Sequence, residues 1–170
     1  MSETKAKDKI HLREGVWNDR PHFLKLWKAF LDEEVTNGSP VLANNDNLKA
    51  YLSLFESYLH GSLFGYAAFA YVGSAGPVGM LFAGENVPGG LSLETTWNKV
   101  ANLWGVYVEP AYRRLEVASR LQDNGVVRGR ELGFDTVVSG VHTGNKAGNA
   151  NIKSWSYGVY PSSVKIVIKL

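Results

Sequence analysis

Hydrophobic and polar positions change their period several times along this chain, and each change marks an element. Ile10 and Leu12 alternate with His11 and Arg13 as the faces of a strand do. Asn18-Asp19-Arg20-Pro21 follows, a capping residue with proline in the first turn. Phe23, Leu24, Trp27, Phe30, Leu31 and Glu34 then mark one helical stripe, which Asn37-Gly38-Ser39-Pro40 ends. A second helix opens near Asn45-Asp46-Asn47, repeats Leu48, Tyr51, Leu52, Phe55, Tyr58 and Leu59 at helical spacing, and stops at Gly61. From Leu63 the period is that of strands: Leu63 to Val72 meets Pro77 to Phe82 across Gly73-Ser74-Ala75-Gly76, a hairpin signal.

Glu85 to Thr96, with Val87-Pro88-Gly89-Gly90 inside it, reads as an irregular connection of a length that often carries function. Val100 to Val108 makes a fourth strand. Val117, Leu121, Gly125 and Leu132 mark the core side of the next helix, in which Gly125 and Gly129 predict a close approach to the sheet. Gly133 ends it, Asp135 to Val141 is a fifth strand, Asn145 to Tyr157 a weaker helix, and Val164 to Leu170 a last strand. The predicted order is β-α-α-β-β-β-α-β-α-β, without internal repeats.

Composition narrows the classes. With 170 residues and 45% hydrophobic content, the chain supports one domain, over 10–170, behind a charged and flexible tail at 1–9. Its 18 Lys+Arg nearly balance 16 Asp+Glu, and no basic cluster points to nucleic acid or a membrane surface. The absence of cysteine removes disulfides, thiolate metal sites and a cysteine nucleophile. His11, His22, His60 and His142 lack ligand spacing, so no metal is expected. Without a signal peptide or an apolar run of spanning length, a cytoplasmic location is expected. A homodimer is left open.

The stretch from Val106 to Ser119 carries the candidate chemistry: an apolar strand runs through Pro110 into a tight turn and then a helix. A helix start leaves N–H donors unpaired, its dipole adds positive charge, and Arg113 and Arg114 stand beside it, so a phosphorylated ligand is the economical reading.

Ile10-His11-Leu12-Arg13-Glu14 with Asn18-Asp19, Val108-Glu109-Pro110-Ala111-Tyr112-Arg113, Arg113-Arg114-Leu115-Glu116-Val117-Ala118, Glu131-Leu132-Gly133-Phe134-Asp135 and the closing Ile168-Lys169-Leu170, in the element order above, resemble the Gcn5-related N-acetyltransferase (GNAT) superfamily. The third segment sits where the family has Arg/Gln-x-x-Gly-x-Gly/Ala. The resemblance implies an α/β (α+β) fold, a central mixed, mostly antiparallel sheet flanked by helices. It also implies an N-acyltransferase that moves acetyl from acetyl-CoA to a primary amine by direct attack. Val106, Tyr107 and Val108 would meet the acyl and pantetheine parts of acetyl-CoA; Arg113, Arg114, Leu115, Glu116, Val117, Ala118 and Ser119 would hold the pyrophosphate. Asn145, or Asn149, would stand in for the family's asparagine near the last helix.

The chain departs from the family at chemically important positions. Glu116 replaces the first motif glycine. Asn102 stands where several members carry a glutamate base, and Ser154 where a tyrosine acid is common, with Tyr157 and Tyr160 nearby. Asn102 and Ser154 by position, and Tyr157 by its nearness to the acid's position, are therefore the catalytic candidates, while Glu85, Glu94, Glu109 and His142 are candidates for a base or a water relay. Glu116 is four residues before Arg120, the favoured orientation for an ion pair that would draw its carboxylate from the phosphates. Trp97, Trp104 and Trp155 are candidate walls of an acceptor pocket. Two other classes stay open: a catalytically degenerate binding or regulatory module, and a nucleic-acid partner reading suggested by Arg113, Arg114, Arg120, Arg128 and Arg130.

Overall fold

The computed structural model describes residues 10–40, 43–85, 100–134, 136–141, 144–153, 158–160 and 164–169. The expected tail at 1–9 and most of the expected connection from Glu85 to Thr96 lie outside these residues.

The elements follow the period changes. Strand β1 is Ile10–Glu14, helix α1 Arg20–Thr36 and helix α2 Asn45–Leu59. The hairpin is β2 (Gly65–Val72) with β3 (Pro77–Glu85), and β4 is Val100–Val108. Helix α3 (Val117–Glu131), β5 (Thr136–Val141) and α4 (Lys146–Lys153) follow, then β6 (Gly158–Tyr160) and β7 (Val164–Lys169). The short β6 is an addition to the predicted order: three residues are too few for a period to register.

The strands form one sheet in the order β1-β2-β3-β4-β5-β7-β6. Every neighbouring pair is antiparallel except β4 and β5, which run parallel with α3 as their crossover. Alternation along β2 explains the two cores. Tyr66, Ala68 and Ala70 face α3, while Ala67 and Phe69 face α1 and α2, where Phe23, Trp27, Phe55 and Phe82 fill the space. Phe23 stacks on Phe55 at 4.5 Å between ring centres.

Two joints fix the helices to the sheet. Asp19 is buried and precedes α1, but its carboxylate accepts from Val16 N (2.8 Å) and from both terminal nitrogens of Arg13 (2.9 and 2.7 Å). It thereby ties β1 to the start of α1 instead of capping the helix as the sequence suggests, because the arginine fork and the Val16 N–H already engage both oxygens. In α3, a Cβ on Gly125 would lie 2.8 Å from Tyr66 Oη and 3.0 Å from Leu81 Cδ1, which is the close approach the glycine spacing predicts.

Candidate functional site

The site begins as a failure of strand pairing. β4 pairs with β3 from Ala101 through Val108, but with β5 only from Val100 to Leu103, where Ser139 is the last partner. The register with β3 shifts at Trp104, since Phe82 faces Gly105 and Ala83 faces Leu103. This bulge twists the strand and helps β4 and β5 part. A Cβ on Gly105 would meet Phe30 at 2.9 Å and Trp27 at 3.0 Å, so glycine is what lets α1 lie against the parting strands.

Beyond the split, β4 offers unpaired backbone. Glu109 N–H donates to Val78 O at 2.8 Å, so by the alternation of antiparallel pairing Tyr107 bonds toward β3. Val106 and Val108, between these positions, turn their N–H and C=O groups into the gap. The Val108 carbonyl is already engaged there, accepting from Arg113 Nε at 2.9 Å. The Tyr107 phenol is raised above its ordinary pKa by burial and by Glu33.

The turn after β4 delivers the helix start to the same place. Pro110–Tyr112 forms a single 3-10 turn, and Arg114 and Glu116 then adopt left-handed backbone with φ of 63° and 66°. Glu116 thus makes the bend a glycine would make more cheaply. Its carbonyl accepts from Arg120 N–H at 3.1 Å and from Ser119 Oγ at 2.9 Å, and its side chain does not cap α3. The N–H groups of Val117, Ala118 and Ser119 consequently face the cleft with no backbone acceptor among the described residues. Leu115 turns its side chain into the core on the α3 side.

These parts enclose a cleft of about 740 Å³. α1 contributes Phe30, Glu33 and Glu34. β4 contributes Val106, Tyr107 and Val108; the turn and helix start contribute Arg113, Arg114 and residues 116–119; α4 closes it with Ala147, Gly148 and Ala150, beside Asn145. Arg113 Nη2 donates to Glu33. Asn145 caps α4, its Oδ1 accepting from Gly148 N–H at 2.7 Å, and its Nδ2 donates to Glu34 at 2.9 Å. A smaller cleft of about 90 Å³ adjoins through shared walls at Phe30, Glu34, Val106, Asn145 and Gly148, and reaches between the parted strands to Trp104, Ser139 and Val141.

The candidates for acid and base are dispersed. Asn102 lies in the fully paired part of β4, opposite Gly84 and Val138, and lines neither cleft. Ser154 and Tyr157, like Glu94, His142, Trp97 and Trp155, lie outside the described residues. Glu85 accepts from Phe64 N–H at 3.0 Å at the far end of β3, and Glu109 pairs with Lys25 at 2.7 Å. Trp104 lines the smaller cleft and donates from Nε1 to Tyr58 Oη at 3.2 Å. Arg120 Nη1 reaches the Ile10 carbonyl at 3.5 Å, a link from α3 to β1. Sequence reasoning gives neither Glu33 nor Glu34 a role in the site: Glu33 looks like the solvated face of an amphipathic helix, and Glu34 registers only as the last position of its core-facing stripe. Among the described residues no group of three His, Asp or Glu is spaced to hold a metal ion, and no helix is long and apolar enough to cross a membrane.

Comparison with known proteins agrees with this architecture. The chain superposes on ribosomal-protein-alanine N-acetyltransferase from Brucella melitensis with a TM-score of 0.73 at 16% identity, covering 94% of this chain and 99% of that one. The Salmonella typhimurium protein yncA, solved with its cofactor acetyl-CoA, gives 0.72 at 13% identity, over 95% and 94%. PaiA N-acetyltransferase from Thermoplasma acidophilum, in complex with coenzyme A, gives 0.66 at 13%, over 95% and 99%. No curated protein matches the chain in sequence. At such identities these likenesses speak for the fold, a mixed sheet flanked by helices. The family model for GNAT acetyltransferases matches residues 7–152, most of the length, and the chain therefore belongs to the acetyltransferase (GNAT) family.

Proposed function

We propose that the protein transfers acetyl from acetyl-CoA to a primary amine by direct attack, with the co-substrate lying in the larger cleft. One observation carries the reading: the parting of β4 from β5 after Leu103 and the uncapped start of α3 open into the same cleft. An extended thiol arm carrying amides suits the gap, where Val106 offers both backbone groups, and a pyrophosphate suits the N–H groups of Val117, Ala118 and Ser119. Arg114 adds charge at the mouth. Arg113 acts through position, holding the Val108 carbonyl and Glu33.

Acyl transfer of this kind needs a free amine, a donor for the oxygen of the tetrahedral intermediate, and a proton for the departing thiolate. Val106 N–H is the candidate oxyanion donor. The nucleic-acid reading loses support from the same geometry, since Arg113 pairs with Glu33 and Arg128 with Glu14 and Glu131. Calorimetric titration of acetyl-CoA into the wild type and into Arg114→Glu tests the placement. Binding in the wild type, weakened at least about tenfold in the variant, is expected from the loss of one cation and the gain of one anion beside the phosphates. Release of thiol from acetyl-CoA on adding amines would then separate an enzyme from a binding module.

A further inference from the structure

We infer that Glu34 is the acceptor-binding group: its carboxylate receives the ammonium of the incoming amine at the junction of the two clefts. This rests on the placement of acetyl-CoA in the larger cleft. Charge on the cleft walls divides unevenly. Glu33 is matched by Arg113, and Arg114 stands at the helix start, where an anion is expected. Glu34 lies on the wall common to both clefts, and among the described residues it is the sole charged side chain lining the smaller one, between the parted strands. No cation pairs with it among the described residues. The Asn145 amide, donating to Glu34 at 2.9 Å, holds the carboxylate in place without neutralising it, and that amide is fixed in turn by capping α4.

An amine approaching a thioester beside Val106 through the smaller cleft therefore meets one anion, which no cation on that cleft's described lining offsets. A carboxylate there draws in an ammonium and can take the first proton as the nitrogen lone pair is freed. The new C–N bond forms as the C–S bond breaks, the second nitrogen proton ends on the thiolate, and the first leaves through Glu34 to solvent. The remaining lining of the smaller cleft, Leu103, Trp104, Gly105 and Val141 with the neutral Gln122 and Ser139, suits the apolar carbons next to the amine.

Two coenzyme A thioethers of nearly equal size isolate the charge: S-(2-aminoethyl)-coenzyme A, which sets an ammonium just beyond the sulfur, and neutral S-propyl-coenzyme A. Calorimetry on the wild type is expected to favour the aminoethyl form by about tenfold, the scale of one ion pair in a partly screened cleft. Glu34→Gln keeps an acceptor oxygen for Asn145 and is expected to bind the propyl form as the wild type does while losing the preference. Equal binding of the two compounds by the wild type, or a preference that survives in Glu34→Gln, overturns the role of Glu34 and leaves the co-substrate placement standing. Failure of both compounds to bind the wild type overturns that placement, and the inference with it. Should Glu34→Gln bind neither compound, Glu34→Asp, which retains the charge, decides the matter: a restored preference supports the inference and binding without preference overturns it.

Discussion

Arg113 and Glu33, 80 residues apart in the chain, meet across the cleft wall, and the same guanidinium holds the Val108 carbonyl through Nε. One side chain thereby fixes the end of β4 to α1 where β5 no longer supports it. The ion pair is more than a third exposed on the arginine side, so screening leaves it little weight, and most of the stabilisation resides in the bond to the carbonyl. Arg113→Ala is expected to lower stability by about 1 to 2 kcal/mol in urea denaturation. Lysine cannot hold carbonyl and carboxylate together in the same fork geometry, so Arg113→Lys recovers only part of the loss. Wild-type stability in Arg113→Ala would remove this brace from the account.

Glycine substitutions at Arg114 and Glu116 separate backbone from charge. Both residues sit at positive φ, where a side chain costs about 1 to 2 kcal/mol. The greater freedom of glycine in the unfolded chain returns part of that, leaving a net gain of about 0.5 to 1 kcal/mol for either variant. Binding should divide them: Glu116→Gly keeps or improves acetyl-CoA affinity by removing an anion, whereas Arg114→Gly weakens it. Melting curves with and without acetyl-CoA read both effects, and a melting point lowered by Glu116→Gly would contradict the strain argument.

Much of this was legible in the sequence because burial imposes a period. The stripe from Phe23 to Leu31 and the alternation of Tyr66 to Val72 each face a core, and each was readable as helix or strand. The splay of β4 from β5 was not, because a bulge at Trp104 leaves no periodic trace and Gly105 alone does not announce one. Helix α4 is described to Lys153, and the expected continuation to Tyr157 falls outside the described residues. At the turn, the sequence shows that Glu116 stands in the family's glycine position but not what backbone it adopts; the chain takes the left-handed bend with a glutamate in place. Glu34 reads in the sequence only as a stripe position of α1, because the role inferred for it depends on Asn145, 111 residues away, and on walls contributed by separate strands.

Gly105→Ala tests the contact between bulge and helix. The added methyl would press on the Phe30 and Trp27 rings at 2.9 to 3.0 Å, and Trp27 is fully buried and cannot yield. A loss of about 1 to 3 kcal/mol is expected, the usual range for overpacking. Since Phe30 lines both clefts, acetyl-CoA affinity should fall as well. Unchanged stability and affinity would mean the rings have room that this packing denies them.

Alkaline pH should unfold the protein through its buried tyrosines. Burial pushes the Tyr58 hydroxyl up to about 12 from 10.0, against the opposing hydrogen bond from Trp104, and Tyr66 and Tyr51 are raised by burial too. A phenol held neutral in the folded state contributes stability that is complete below pH 10 and is lost between about 10 and 12, as the unfolded chain ionises first. The melting temperature should therefore decline steeply across that window. Tyr58→Phe should flatten part of the decline, and an identical slope in the variant would assign the effect elsewhere.

A crystal structure with coenzyme A bound tests the central claim most directly. Pyrophosphate oxygens are expected within hydrogen-bond distance of the Val117, Ala118 and Ser119 amides, with Arg114 beside them and the thiol arm in the gap along Val106, its sulfur at the junction near Glu34. Coenzyme A lodged away from the α3 start, or a cleft still empty of coenzyme A in crystals grown at millimolar ligand, would contradict it.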